Sequence, residues 1–314
     1  MIDRSTLLIA PLARWSSRIA LFSVSVLSVG VVLHRLTSFP TPVAVNLFLV
    51  SVAGAGLAIL VGLIAFIQIW RRGYGGAGSA AFGILLPLLA LAWPLTYVPN
   101  FLKLPPINDI TTDLEAPPQF VALAKLHAGE AHPVAYPGQR FASVQQKAYP
   151  DLRTYVIDRP AEEAFELVEE AVRKLKWRVA SAQPPSGRPA RGGTLEATDQ
   201  TLVIGFTDDI AIRVEAIGKR ARVDVRSASR YGEHDLGQNA QRVRRFLTEL
   251  QARVDSTAPS GVAGRRTLRT TRAGAMVKKL KGNDLKKAEK KKAESRSGRV
   301  RVRSNARRAQ GPKE

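Results

Sequence analysis

The side chains that come closest to forming a binding or catalytic site lie in one segment, residues 226–243, RSASRYGEHDLGQNAQRV. The segment alternates like a strand as far as Tyr231 and Gly232, and then continues with helical spacing. Arg226 and Arg230 precede the start of that helix, where unpaired backbone N–H groups favour an anion. Guanidinium groups bind carboxylates and phosphates through paired hydrogen bonds. The segment therefore suggests a site for a small anionic ligand.

The same segment suggests a second chemistry, hydrolysis by a serine nucleophile. Ser227 or Ser229, with His234 and Asp235, supplies the residue types of a hydrolytic triad. Adjacent residues cannot readily place a histidine base and its orienting carboxylate as a triad requires, and no Gly-x-Ser-x-Gly turn surrounds either serine. A membrane-bound serine hydrolase is therefore the alternative hypothesis rather than the leading one.

The corner between strand and helix also has a structural interpretation. Asp235 is placed to cap the helix, with Gln238 three residues on as a possible capping box. Asn239, one turn later, could hydrogen-bond to the backbone of Ser227 and Ser229 and fasten the corner. We therefore expect the corner chiefly to turn and fasten the chain.

Ion pairs are the structural alternative to ligand binding for the two arginines. Arg226 and Arg230 could pair with Asp208, Asp209 or Asp235. Anion binding remains the functional hypothesis for this corner. The candidate ligand-binding residues are Arg226, Ser227, Ser229, Arg230, Asp235 and Asn239.

Other motifs resemble known sites only in composition. HAGEAH, at residues 127–132, has its histidines five residues apart and a glycine between them, whereas zinc pairs on a helix are four apart. GYGGAGSAAFG, at residues 73–83, joins two membrane spans and lacks the strand that precedes a phosphate loop. Asp208 and Asp209 would point to opposite faces of a strand and could not share a proton. The sequence thus predicts no metal and no cofactor.

The elements that would position the corner form one domain, residues 151–255. A helix from Pro160 has acidic residues in its first turn and basic ones in its last, as the helix dipole favours. Ile210, Ile212 and Val214 alternate with polar residues, which indicates a strand with one dry face. The order β-α-β-β-β-β-α predicts an α+β fold with an antiparallel sheet packed on two helices.

Three apolar stretches precede this domain, at about residues 19–36, 43–70 and 80–102. A hydrocarbon core of about 30 Å needs about 20 apolar residues, so each stretch is a candidate membrane span. Gly54, Ala58 and Gly62 form a stripe of small residues that lets helices approach closely. The first stretch could instead be a signal peptide, but no small-residue cleavage site follows it. We predict a three-helix transmembrane anchor over residues 1–102.

The basic loop residues predict the orientation of these spans. Arg4, Arg14 and Arg18 precede the first span, and Arg71 and Arg72 lie between the second and third spans. By contrast, the loop after the first span and the chain just after the third span each have a single Lys or Arg. Because cytoplasmic loops collect Lys and Arg, the N-terminus is predicted to be cytoplasmic. Three crossings of a bacterial inner membrane then place the domain in the periplasm.

Two segments of unusual composition flank the domain. Residues 103–150 contain seven prolines and predict an extended strap, with one or two helical turns at residues 119–126. Residues 256–314 predict a disordered basic tail, because positions 261–314 hold 19 of the 47 basic residues and four of the 26 acids. Anionic lipid or an envelope polyanion would be the partner of an external tail, whereas a cytoplasmic tail would favour nucleic acid. No aromatic residue accompanies this charge, so nucleic acid is the less favoured partner.

Four segments together resemble a known family, the domain of unknown function family 1499. They are PPINDITTDLEAPPQF, YPDLRTYVIDRPAEEAF, IGFTDDIAIRVE and RSASRYGEHDLGQNAQRVRRFL, and their order also agrees. The resemblance covers about residues 104–252 and implies a small membrane-anchored or exported domain, mostly bacterial, without an assigned reaction. The leading hypothesis is therefore a non-enzymatic envelope protein that binds a partner or a small anionic ligand close to the membrane.

Overall fold

The computed structural model describes residues 9–37, 39–126, 135–187 and 192–257, all within one compact unit. The HAGEAH motif and most of the basic tail lie outside these residues. Three helices begin the described chain: α1 (Pro11–Leu36), α2 (Thr41–Arg72) and α3 (Ala77–Leu95). Each is long and apolar enough to cross a membrane. The prediction of three N-terminal apolar helices is therefore confirmed.

The third predicted span is two helices in the structure. Helix α3 ends at Leu95 and a short helix, α4 (Val98–Lys103), follows it. Pro99 has no N–H with which to bond the carbonyl of Leu95, so a continuous helix is interrupted there. The same proline is well suited to the first turn of α4. Pro87, by contrast, is accommodated inside α3.

Small residues bring the three helices into close contact. The Ser16 hydroxyl on α1 donates a hydrogen bond to the Ala58 carbonyl on α2 at 2.8 Å. A Cβ atom placed on Gly83 of α3 would lie 1.9 Å from that hydroxyl, and one on Gly54 would lie 2.2 Å from the hydroxyl of Ser23. Only glycine permits such an approach, as the stripe of small residues predicts.

An antiparallel sheet of six strands forms the centre of the α+β domain. Its strands are β1 (Asp109–Thr111), β2 (Tyr155–Ile157), β3 (Arg178–Gln183), β4 (Gly193–Gln200), β5 (Thr207–Ile217) and β6 (Arg220–Ser229). The strand order is β1-β6-β5-β4-β3, and β2 pairs with β6 beyond the end of β1. The predicted antiparallel sheet is confirmed, and the strap adds β1 to its edge.

Two helices cover one face of the sheet. Helix α7 (Ala161–Lys174) and helix α8 (Gln238–Ser256) pack on each other and on the central strands. Val223 and Val225 of β6 are fully buried beneath them, together with Val243 and Phe246 of α8. This face is the hydrophobic core of the domain. The prediction of two helices packed on an antiparallel sheet is therefore confirmed.

The Pro-rich strap covers the opposite face of the sheet. It contains α5 (Ala122–Leu126) and α6 (Gln139–Ala148). Phe120 and Leu123 pack on Ala211 of β5. The Gln145 side chain of α6 accepts from the Thr111 N–H at 3.1 Å and donates to the Thr111 carbonyl at 2.6 Å, which ties α6 to β1. The strap is thus more regular than its prolines predict, because it packs on the sheet and because its own side chains join its elements.

Candidate functional site

The corner after β6 turns through three residues with positive φ. Gly232, Leu236 and Gly237 have φ of 86°, 57° and 81°. Asp235 lies inside this turn and its carboxylate accepts hydrogen bonds from the N–H groups of Gly237 at 2.8 Å and Asn239 at 2.7 Å. Burial raises the pKa of Asp235, although these bonds oppose the shift. The aspartate therefore holds the start of α8 as expected, but the helix itself begins three residues later than the sequence predicts.

Asn239 joins the two candidate serines to the strap. The Ser227 hydroxyl donates to Asn239 Oδ1 at 2.7 Å, and Asn239 Nδ2 donates to the Ser229 hydroxyl at 2.9 Å. The same amide donates to the backbone carbonyl of Asn108 at 3.0 Å. The expected fastening of the corner thus runs mainly through serine side chains rather than through their backbone.

Arg242 completes this cluster from the next turn of α8. It is 2% exposed and donates to Asn239 Oδ1 at 2.8 Å, to Asp208 at 2.6 Å and to Asp199 at 2.8 Å. Burial raises the pKa of Asp208, and the charge of Arg242 opposes that rise. The sequence reasoning missed this arginine. Helical spacing could have indicated it, because positions 239, 242, 243 and 246 share the face of α8 that packs on the sheet.

Arg226 lies on the other face of the sheet, beneath the strap. Its guanidinium is fully buried and binds both oxygens of Asp109, the shortest contact being 2.7 Å. It also donates to the Pro118 carbonyl at 3.2 Å and lies 4.6 Å from the ring centre of Phe120 and 5.6 Å from that of Tyr136. The partner is thus a strap residue rather than one of the three aspartates expected from the sequence.

Burial shapes the titration of the groups around Arg226. It raises the pKa of Asp109, against the opposing hydrogen bonds and charge of the arginine. It also raises the pKa of Tyr136 to about 12, with a further contribution from the Asp109 charge. The guanidinium of Arg226 is already bound by a carboxylate and two aromatic rings of the protein itself. Arg226 therefore serves to hold the strap on the sheet.

Arg230 is the more accessible of the two candidate arginines. It donates two hydrogen bonds to Asp209 Oδ1, at 2.9 and 2.7 Å, and its side chain is 24% exposed. This pair is among those expected from the sequence. Asp208 and Asp209 also point to opposite faces of β5, as expected, since one pairs with Arg242 and the other with Arg230.

His234 contacts the backbone and an aromatic ring. Its Nδ1 accepts a hydrogen bond from the Leu236 N–H at 3.0 Å, and its ring stacks on Phe101 of α4 at 5.4 Å. Ser227 and Ser229 bond to Asn239 instead. In the part of the chain that the structure describes, no group of three His, Cys, Asp or Glu side chains is arranged to hold a metal ion.

The corner and the neighbouring loop between β4 and β5 are each joined to the N-terminal helices. Asn100 of α4 donates to the Leu236 carbonyl at 3.2 Å. At the end of α1, Arg35 donates to the Thr201 carbonyl at 2.8 Å, and His34 Nδ1 lies 2.8 Å from the carbonyl of Ile204. Both contacts lie at the end of the sheet where β4 and β6 finish and β5 starts. One end of the domain therefore rests on the exits of the apolar helices.

These features define the class of protein: three helices that are long and apolar enough to cross a membrane, followed by a small α+β domain, one end of which bonds to the end of α1 and to α4. Residues 109–250, which include most of this domain, match the model of the family described as protein of unknown function DUF1499, as the resemblance of the four segments predicts.

No curated protein sequence matches the chain. Among solved structures, the crystal structure of the vertebrate conserved region of human METTL16 matches over 33% of this chain and 98% of that chain, with 13% identity and a TM-score of 0.25. That score is too low for the likeness to support any inference about this chain.

Proposed function

We propose that this chain is a membrane-anchored envelope protein of bacteria whose α+β domain lies on the periplasmic surface of the inner membrane and binds a partner there without catalysing a reaction. The loop charges support the orientation. Arg14 and Arg18 lie near the start of α1, and Arg71 and Arg72 lie between α2 and α3. Positive charge of this kind marks the cytoplasmic side.

The observation that carries the proposal is the double attachment of the domain. Arg35 at the end of α1 and Asn100 in α4 bond to two different loops at the same end of the sheet. A domain attached only by a flexible linker would be free to rotate, whereas two attachments hold one end toward the membrane. The opposite end and the outer strand β3 are then presented to partners away from the bilayer.

The hydrogen bonds of the candidate triad favour binding over catalysis. A serine nucleophile needs a histidine within hydrogen-bond reach. Here Asn239 occupies the hydroxyls of both Ser227 and Ser229, while the histidine accepts from the backbone. A covalent probe for serine hydrolases, such as a fluorophosphonate, should therefore leave the full-length protein unlabelled. Labelling that disappears in Ser227→Ala or Ser229→Ala would support the hydrolase instead.

Capture of a small anionic ligand is a second candidate function, and one observation favours it. Arg230 is partly exposed at the corner, and an incoming anion would compete with Asp209 for its guanidinium. Inorganic phosphate, titrated into the protein in nanodiscs, should then bind the wild type and fail to bind Arg230→Ala. Equal binding by both would remove this candidate, while Arg244→Ala, which removes an exposed pair with Asp151, serves as the matched control.

The basic tail adds a proposal that rests on sequence alone. Most of residues 256–314 lie outside the described residues, and positions 261–314 carry 19 basic and four acidic side chains. On the periplasmic side this charge would bind anionic lipid headgroups or an envelope polyanion, with an affinity that falls as salt rises.

Reporter fusions test the orientation directly. Alkaline phosphatase fused after Thr257 should be active and a fluorescent protein fused there should be dark, because the first folds only outside the cytosol and the second only inside it. Fusions after Arg72, in the loop between α2 and α3, should give the opposite result. Fluorescence after Thr257 would instead place the domain and tail in the cytosol and make nucleic acid the favoured partner.

A further inference from the structure

Two apolar side chains in the loop between β4 and β5 are exposed although the loop is firmly held. Leu202 is 86% exposed and Val203 is 39% exposed. Loop tips usually carry polar or small residues, since apolar ones gain nothing from contact with water. The neighbouring carbonyls of Thr201 and Ile204 both bond to the end of α1. The exposed pair is therefore held beside the exit of an apolar helix.

The end of α1 marks the level at which this loop lies. Residues 19–33 of α1 carry no charge, and Arg35 follows within two residues. An arginine at the end of an apolar span places its guanidinium among the lipid headgroups while its stem covers apolar surface. Because Arg35 binds the Thr201 carbonyl at 2.8 Å, the loop lies at the headgroup level too.

Aromatic residues indicate the same level where the chain leaves the third span. Trp93 and Tyr97, at the end of α3, pack edge to face with ring centres 5.3 Å apart. Trp and Tyr collect at the boundary between lipid tails and water. Phe101 and Leu102 follow in α4, and they are 60% and 74% exposed. Apolar side chains thus face outward beside both exits, which is the arrangement that a bilayer surface would cover.

We infer that the loop formed by residues 201–206 inserts Leu202 and Val203 into the interfacial layer of the bilayer, so that the domain contacts lipid directly. The inference rests on the proposed membrane anchor. The recognised partner is the apolar part of the lipid surface, with Arg35 beside it for the phosphate groups. Direct insertion would stop the domain from tilting about its attachments, and would set which of its surfaces faces the periplasm.

A single introduced thiol can measure the depth of the loop, because the natural chain has no cysteine. We would attach a nitroxide to Leu202→Cys in the full-length protein, held in phosphatidylcholine nanodiscs, and compare its collisions with oxygen and with a water-soluble nickel chelate. Oxygen concentrates in the bilayer and the chelate stays in water. A label in the interfacial layer should therefore collide more with oxygen, and less with the chelate, than a label in water does.

Two matched positions make the result decisive. Ile217→Cys is 45% exposed but lies at the far end of β5, ten residues or about 33 Å along the strand from Thr207, so its label should be in water. Leu57 lies in the middle of α2 and is 50% exposed on the protein surface. A label on Leu57→Cys should therefore be immersed in lipid if α2 crosses the bilayer. Each substitution is at an exposed position, so the fold should be preserved.

The outcomes separate the two claims. A Leu202 label that resembles the Leu57 label more than the Ile217 label supports insertion. If the Leu57 label is immersed while the Leu202 label behaves like that at Ile217, the loop inference is overturned and the anchor stands. If the Leu57 label itself meets the chelate freely, both the anchor and the loop inference are overturned.

Discussion

The two faces of the sheet are covered by different chemistry. Beneath α7 and α8 the contacts are mainly apolar, with Val223, Val225 and Phe246 fully buried, and the polar cluster around Arg242 is confined to one end of this face. Beneath the strap, buried polar pairs predominate, with Arg226 bound to Asp109 as the central one. Apolar burial is non-directional and scales with area, whereas an ion pair requires a specific partner at a specific place.

Other buried carboxylates under the strap repeat this pattern. Glu196 of β4 accepts hydrogen bonds from three successive backbone N–H groups at the start of α5, at 2.8 to 3.0 Å. Asp224 of β6 accepts from Thr112 at 3.2 Å, from Thr154 at 2.6 Å and from Arg213 at 3.1 Å. A proline-rich segment is thus positioned in large part by directional bonds. The helix face therefore contributes mainly non-directional apolar stabilisation, whereas the bonds on the strap face determine where each part of the strap lies on the sheet.

The largest effect on the strap face is expected from Arg226→Met. The substitution leaves the Asp109 carboxylate buried without its partner, which costs about 3 to 5 kcal/mol. Hydrogen–deuterium exchange of the β1 and β6 amides in the full-length protein would report the loss as a lower free energy of opening. The double variant Asp109→Leu with Arg226→Met should recover most of it, since an apolar pair of similar volume leaves no charge unpaired. Failure of the double variant to recover would argue against a simple ion pair.

Phe246→Ala is the counterpart on the helix face. It should cost about 3 to 5 kcal/mol through lost burial and the cavity it leaves. The ring stacks on Trp177 at 5.7 Å, so α8 and the chain after α7 should both loosen. No polar partner is left behind, so no second polar substitution should restore stability. If removing a charge elsewhere on this face restored the stability of Phe246→Ala, the contribution of Phe246 would not be purely apolar.

Glu196→Gln should have an intermediate and local effect. Hydrogen bonds to a charged group contribute about 1.5 to 3 kcal/mol, and the neutral amide keeps an acceptor but loses the charge. Exchange of the amides of residues 121–123 should quicken, while those of α8 stay unchanged. Equal acceleration in both elements would mean that the two faces do not behave independently.

Asp235→Ala should cost about 1 kcal/mol, because it removes the acceptor for two N–H groups at the start of α8. Asp235→Asn is the matched control, since its side-chain oxygen can still accept one of these bonds. Thermal unfolding of the domain in nanodiscs should rank the wild type first, the asparagine variant next and the alanine variant last. The reverse order of the two variants would count against the capping role.

The smallest expected effect is on pH dependence through Asp208. Burial raises the pKa of Asp208 above its ordinary value of 3.8. The folded protein therefore holds this proton when the unfolded chain has already released it, so stability falls as pH rises from 3.8 through the higher folded pKa and is constant beyond it. In Asp208→Asn this part of the slope should vanish, which unfolding measured between about pH 4 and about pH 7 would detect. An unchanged slope would indicate that other carboxyls account for it.

Much of the fold could be predicted from the sequence, and less of the candidate site. The spans follow from long uncharged stretches, and the strand and helix order follows from periodicity. Strand β1 was missed because three residues carry no periodic signal and pair only through the edge of β6. For the site, the roles of Asp235 and Asn239 at the corner could be foreseen, because a cap and the next turn are local in sequence. The partner of Arg226 could not, because Asp109 is 117 residues away.

Sequence by itself determined the composition of each region: three apolar helices, an α+β domain with alternating strands, and a corner rich in hydrogen-bonding side chains. Such properties are local, because hydropathy and periodicity act over a few turns. Only the tertiary structure decided that Arg226 and Ser227 lie on opposite faces with different partners, that Arg242 joins the corner, and that Arg35 holds the loop beside Leu202. The physical reason is that a buried charge or amide takes whichever partner the completed packing brings within hydrogen-bond distance, and that partner comes from a distant part of the chain.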